Sequence, residues 1–169
     1  MMVMKNLKTP LIVDVEASGF GPFSYPIEVG LALDQGQKYC SLVIPAPDWT
    51  HWDEQAESVH HVSRDILREY GKPIEAVAKE LNRLLQNKIV YTDGWVVDKP
   101  WLDKLFYESR IRPEFTVSCL EMILSEEQME IWHATKDRIE EEMDVQRHRA
   151  SNDAYLIQKT WLKTRNGKA

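Results

Sequence analysis

Leu11-Ile12-Val13-Asp14-Val15-Glu16 is the stretch that decides how this chain folds. Its apolar, largely β-branched residues read as a buried strand, closed by the turn Ser18-Gly19-Phe20-Gly21-Pro22. Asp14 and Glu16 stand two residues apart, and side-chain alternation along a strand puts both carboxylates on one face. Ionised groups on so apolar a strand are costly unless something compensates them, and a shared cation does so. The alternative, that one carboxylate is a surface charge, stands level with it on these residues alone.

Reading outward, Pro26 to Leu33 and Lys38 to Ile44 are strand partners joined by the Asp34-Gln35-Gly36 turn. A polar, Trp-containing segment follows. Ser63 is an N-cap for a helix over Arg64 to Tyr70 that Gly71 ends. Pro73 opens an amphipathic helix with Ile74, Val77, Ala78, Leu81, Leu84 and Leu85 on one face, running to Gln86. Lys88 to Thr92 is a strand, Val97 to Ser109 a helix, and Phe115 to Ser118 a last short strand. Ser125-Glu126-Glu127-Gln128 has the form of a capping box that starts a charged helix into the 130s. Asn152 to Thr164 is the final helix. Three strands, then strands alternating with helices, predict an α/β domain: a mixed β-sheet flanked by α-helices.

The 169 residues, 43% of them hydrophobic, suffice for one domain with a real core, with neither repeat nor linker to divide 1–169. Cys40 and Cys119 have no CxxC spacing, so neither a disulfide framework nor a zinc site is indicated. Met1-Met2-Val3-Met4-Lys5 lacks the apolar stretch of a signal peptide, and no run approaches a bilayer span. The expectation is a cytoplasmic protein without a membrane role. A net charge of −6 argues against holding long nucleic acid by coating its phosphates, but not against acting on an end.

Two further segments carry chemistry. In Tyr91-Thr92-Asp93-Gly94-Trp95-Val96-Val97-Asp98, a strand passes through a glycine turn into a helix, a junction where ligands sit in α/β sheets. Asp98 near the helix start is a ligand or a cap favoured by the dipole, and Asp93 is its rival; the spacing does not choose. In His148-Arg149-Ala150-Ser151-Asn152-Asp153, Ser151 is the expected cap, Asp153 falls in the first turn, and His148 lies in the preceding loop. His-x4-Asp is a weak signal alone, since His60 and Asp65 repeat it.

Together and in order, these segments make the chain resemble the DEDDh exonucleases, the superfamily of ribonuclease T, oligoribonuclease and bacterial proofreading subunits. Asp14-Val15-Glu16-Ala17-Ser18-Gly19 matches the first motif, and Ile27-Glu28-Val29-Gly30 its usual continuation. His60-His61-Val62-Ser63 echoes a His-Gly-Ile-Thr-like segment, with His61 departing from Gly. Asp98-Lys99-Pro100-Trp101-Leu102 matches the second motif, and His148 with Asp153 the third. The likeness spans roughly residues 10 to 165. One departure is Gly94, where many members have Asn, which leaves substrate contacts at that turn open.

The resemblance implies a ribonuclease H-like fold and a 3′→5′ exonuclease of single-stranded ends that releases nucleoside 5′-monophosphates. It implies Asp14, Glu16, Asp98 and Asp153 as ligands of two Mg²⁺ or Mn²⁺ ions, which suit hard oxygen donors, and His148 as general base. Ser18, His60 and Trp95 become candidate substrate contacts; for Trp95 the competing reading is a core tryptophan, and for Arg147 and Arg149 phosphate contact competes with solvated surface positions. Lys159, Lys163, Arg165 and Lys168 give the C-terminal end a basic character. Homodimerisation, common among the similar stand-alone enzymes, is a further expectation. The small acidic domain leans toward short single strands and RNA over DNA. The rival classes are a catalytically silent nucleic-acid-binding or polymerase-docking module on the same fold and, more distantly, a metal-dependent phosphatase.

Overall fold

In the computed structural model, residues 7–145 and 147–167 are described; Met1 to Lys5 and Lys168, read above for a leader and for basic character, lie outside them. Five strands form one sheet: β1 (Leu11–Ala17), β2 (Pro26–Ala32), β3 (Lys38–Leu42), β4 (Ile89–Thr92) and β5 (Thr116–Cys119), in the order β3-β2-β1-β4-β5. β2 runs antiparallel to β1 and β3, whereas β1–β4 and β4–β5 are parallel. This is the mixed sheet that hairpin-then-alternation predicts.

The helices are α1 (Glu54–His60), α2 (Arg64–Tyr70), α3 (Ile74–Leu85), α4 (Trp95–Ser109), α5 (Glu126–Glu142) and α6 (Ala150–Thr164). Alternation along β1 splits the core in two. Leu11, Val13 and Val15 pack with Val77, Leu81 and Leu85 of α3 and Leu102, Leu105 and Phe106 of α4. Ile12 faces the other way, with Trp132 of α5 and Ala154, Ile157 and Trp161 of α6. Each large apolar side chain fully buried this way contributes roughly 1.5–3 kcal/mol. Asp14 and Glu16 share the alternation of Ile12, so they lie on the α6 side of the sheet. No helix among the described residues is long and apolar enough to cross a membrane.

Strand ends shift by a residue or two, and the larger departures from the sequence reading are one added helix and two helix starts. The Trp-containing segment holds α1, whose N-cap Asp53 accepts the Gln55 N–H at 2.9 Å; Glu54 to His60 offers too few apolar residues to show a helical period. α4 begins at Trp95 rather than Val97, because the Gly94 carbonyl accepts the N–H groups of Val97 and Asp98 at 3.0 and 2.8 Å. α6 begins at Ala150, and Ser151 is inside the helix rather than its cap: the Arg149 carbonyl accepts the N–H groups of Asn152 and Asp153, both at 3.0 Å. The capping box at Ser125 and Gln128 forms as expected.

Candidate active site

Asp14 and Glu16 enter the site from β1, Asp98 from the first turn of α4, and Asp153 from the first turn of α6. Among the described residues, one carboxylate oxygen each of Asp14, Asp93 and Asp98 lie within 4.8 Å of one another, as do ligand atoms of Glu16, His148 and Asp153. The sheet's central strand thus supplies one member to each triad. A cavity of about 320 Å³ opens between them, lined also by Gly19, Phe20, His60, Gly94 and Trp101. A larger groove of about 660 Å³ runs along α5 and α6 past Arg138 and Lys163, but the carboxylates do not face it.

Asp98 is 3% exposed and accepts the Thr92 hydroxyl at 2.6 Å, while Thr92 Oγ1 in turn accepts the Gly94 N–H at 2.9 Å. Asp93 is solvent-exposed at the cluster's edge. The structure therefore brings both candidates to Asp14, with the buried, oriented carboxylate being Asp98. His148 sits exposed in the loop before α6 with a left-handed φ of 60°, and its N–H donates to Asp153 Oδ1 at 3.2 Å. That same oxygen accepts Arg147 Nε at 2.8 Å, and Arg147 also pairs with Glu140 near the end of α5.

Crowding shows in the proton affinities. Burial, and then the charges of Asp98, Glu16, Asp153 and Asp93, push the Asp14 carboxyl well above its ordinary range. Glu16 is pushed up to about 8 by burial first and then by Asp153 and Glu28. Asp98 rises to about 7 through burial, with the Thr92 hydrogen bond pulling it back and Asp93 pushing it up. Carboxyls that hold protons near neutral pH because burial desolvates them and negative charge is packed around them fit cations, whose oxygen-preferring chemistry matches this donor set.

The remaining sequence candidates fall differently. Ser18 is fully buried; its hydroxyl meets His51 Nδ1 at 2.9 Å and accepts the Tyr25 N–H at 3.1 Å, so it pins the turn after β1. His60 lines the cavity although only 2% exposed, and its Nδ1 accepts the Val62 N–H at 3.0 Å. His61 adopts φ 59°, which explains how it replaces the glycine of the family segment: histidine is among the residues that tolerate the left-handed region. Trp95 is 38% exposed on α4 beside the cavity rather than in the core, with Lys99 Nζ 5.9 Å from its ring. Arg147 and Arg149 are not solvated surface arginines: Arg149 forks onto buried Glu28. Sequence reasoning passed over Phe20, 74% exposed at the cavity wall. Its signal was a large apolar residue inside a glycine-rich turn.

No protein-family model and no curated protein sequence matches the chain. Among solved structures, E. coli Exonuclease I in complex with a dA16 oligonucleotide is similar with a TM-score of 0.72 at 14% identity, covering 95% of this chain and 41% of that one. The structure of Exonuclease I that suggests how processivity is achieved gives 0.73 at 15% identity, with coverage of 95% and 41%. The nuclease domain of 3′hExo, a DEDDh family member, bound to rAMP, gives 0.69 at 16% identity, with coverage of 94% and 92%. The chain thus spans about two fifths of Exonuclease I, 41%, but nearly all of the smaller nuclease domain. It has the fold of the DEDDh exonucleases, a ribonuclease H-like mixed sheet flanked by helices.

Proposed function

We propose that this chain is a metal-dependent 3′→5′ exonuclease that hydrolyses the terminal phosphodiester bond of short single-stranded nucleic acid and releases nucleoside 5′-monophosphates. One observation carries the reading: on a fold shared with exonucleases, Asp14, Glu16, Asp98 and Asp153 converge from β1, α4 and α6 on one cavity, with a ring nitrogen of His148 within 4.8 Å of ligand atoms of Glu16 and Asp153. In this reading the four carboxylates hold two cations, Mg²⁺ or Mn²⁺. When bound, these supply charge neutralisation of the scissile phosphate and activation of water.

The chain's own residues do the rest. His148, exposed in its loop, takes the proton of the attacking water, and the exposed setting lets its ring move between solvent and substrate. The Arg147 guanidinium holds Asp153 in place. Phe20 and Trp95 offer exposed aromatic faces on which bases stack, an interaction tolerant of sequence. His60 shapes the cavity wall, and Ser18 fixes the turn that carries Gly19 and Phe20. Short single strands, and RNA over DNA, are favoured by the small acidic domain, whose net charge of −6 does not suit holding long nucleic acid.

The test is digestion of 5′-labelled single-stranded RNA and DNA oligomers of several lengths with Mn²⁺ or Mg²⁺. A ladder shortening from the 3′ end, 5′-monophosphate products and silence under chelation are expected. Cutting of a circular strand, or full turnover after exhaustive chelation, would refute the reading. Binding without cleavage would point to a silent module instead.

A further inference from the structure

The segment Ile27-Glu28-Val29-Gly30 has no part in the chemistry above, yet it lies directly beneath the third motif. In the β1–β2 register Glu28 stands opposite Glu16, and Gly30 opposite Asp14, so both project toward the α6 side of the sheet. Glu28 is 0% exposed. Its Oε2 accepts Arg149 Nε at 2.9 Å and Nη2 at 2.6 Å, and its Oε1 accepts the Ala150 N–H at 2.6 Å. A carboxylate from a neighbouring strand therefore takes the place of the missing N-cap side chain of α6 and grips the residue next to His148. Gly30 completes the seat. A Cβ there would stand 2.1 Å from the Ser151 nitrogen and 2.2 Å from the Ala150 carbonyl carbon, so the start of α6 rests on bare backbone.

The body of α6 is anchored separately. Gln158 Nε2 donates to the Pro10 and Leu33 carbonyls at 2.9 and 3.0 Å, and Trp161 Nε1 to the Ile123 carbonyl at 3.0 Å. What Glu28 and Arg149 add is local, at the turn that bears His148 on one side and Asp153 on the other. Arg149 also neutralises a carboxylate whose charge bears on Glu16, which keeps Glu28 a strut rather than a fifth oxygen donor.

We propose that Glu28 and Arg149 are positioning residues whose fork holds the His148 loop and the first turn of α6 in register with Glu16. The proposal rests on the exonuclease reading for its catalytic consequence. A displacement of about 1 Å at reacting groups can cost on the order of 100-fold in rate. Glu28→Gln is the sharpest variant: its carbonyl oxygen can keep the Ala150 contact while its amide nitrogen faces the guanidinium without accepting from it. Arg149→Lys keeps the charge and loses the fork, and serves if Glu28→Gln fails to fold.

The experiment uses the full chain with saturating Mn²⁺ and a short single-stranded RNA, together with hydrogen exchange. Either variant should lower kcat roughly 10- to 100-fold with KM within about twofold, and backbone amides of residues 147–153 should exchange about tenfold faster while those of β1 and the later turns of α6 keep their protection. Unchanged kcat in a folded variant, or a raised KM at constant kcat, would overturn the assignment, the latter by making Arg149 a substrate contact. Faster exchange over the whole chain would reduce the pair to ordinary structural support and also overturn it. If the wild-type chain cleaves nothing, the exonuclease reading falls alone: exchange still decides whether the fork holds the turn.

Discussion

Cation binding at the carboxylate cluster is expected to expel protons, and the crowding of the site sets how many. Metal ligation requires the ionised carboxylate. With Glu16 at about 8 and Asp98 at about 7, roughly nine-tenths of the first and half of the second are protonated at pH 7, so loading releases about 1.4 protons from this pair. Asp14, held well above its ordinary range, adds to that release. The sign follows: raised values favour the protonated, cation-free site, so affinity weakens as pH falls. From these two groups alone, moving from pH 7 to pH 8 should tighten the apparent Kd about 10-fold. Calorimetric titration with Mn²⁺ at one pH, in two buffers of different ionisation enthalpy, counts the protons directly, and repeating it at pH 8 gives the shift. A pH-independent Kd with no buffer-dependent heat would refute the inference that these carboxylates are desolvated, mutually repelling ligands.

His148→Ala should lower kcat on the order of 10²–10⁴-fold while metal affinity and Tm change little; near-normal turnover, or rescue by excess metal, would remove His148 from proton transfer. Asp98→Asn should be more damaging than Asp93→Asn under saturating metal, since Asp98 is the buried carboxylate oriented by Thr92; single-turnover rates decide, and the reverse order would make Asp93 the principal ligand. Gly30→Ala should destabilise the protein by at least about 1–3 kcal/mol, because the new Cβ meets backbone that cannot rotate away; denaturant unfolding that matches wild type would show that α6 is less tightly seated than the distances indicate.

The fold was legible because its determinants are local. Apolar β-branched runs marked the strands, and the face of α3 from Ile74 to Leu85 is amphipathic enough to read directly. Asp14 and Glu16 stood out because ionised groups are expensive on such a strand, whereas Asp98 and Asp153 were singled out by the family resemblance and not by their spacing. What escaped was non-local or without period. α1 has too few apolar residues to show its helix, and Trp95 begins α4 because the Gly94 carbonyl accepts backbone N–H groups of the first turn, which leaves no compositional trace. The start of α6 was misplaced because Ser151 is a good cap in isolation, whereas the acceptor that operates is Glu28, 122 residues away. Asp93 and Asp98 could not be ranked from spacing, as burial and the Thr92 hydrogen bond are what separate them.

The proposed site draws its members from β1, α4 and α6, and that order governs when it can be assembled during synthesis. A nascent chain that has emerged through α5 holds Asp14, Glu16 and Asp98 but lacks His148, Asp153 and the helix that covers this side of the sheet. Ile12, Ala32 and Tyr91 lack their α6 partners at that stage, and contacts this distant in sequence are the slow ones to form. A nascent chain without α6 therefore lacks both the proposed site and the partners of this core, and docking of α6 completes the two in the same step.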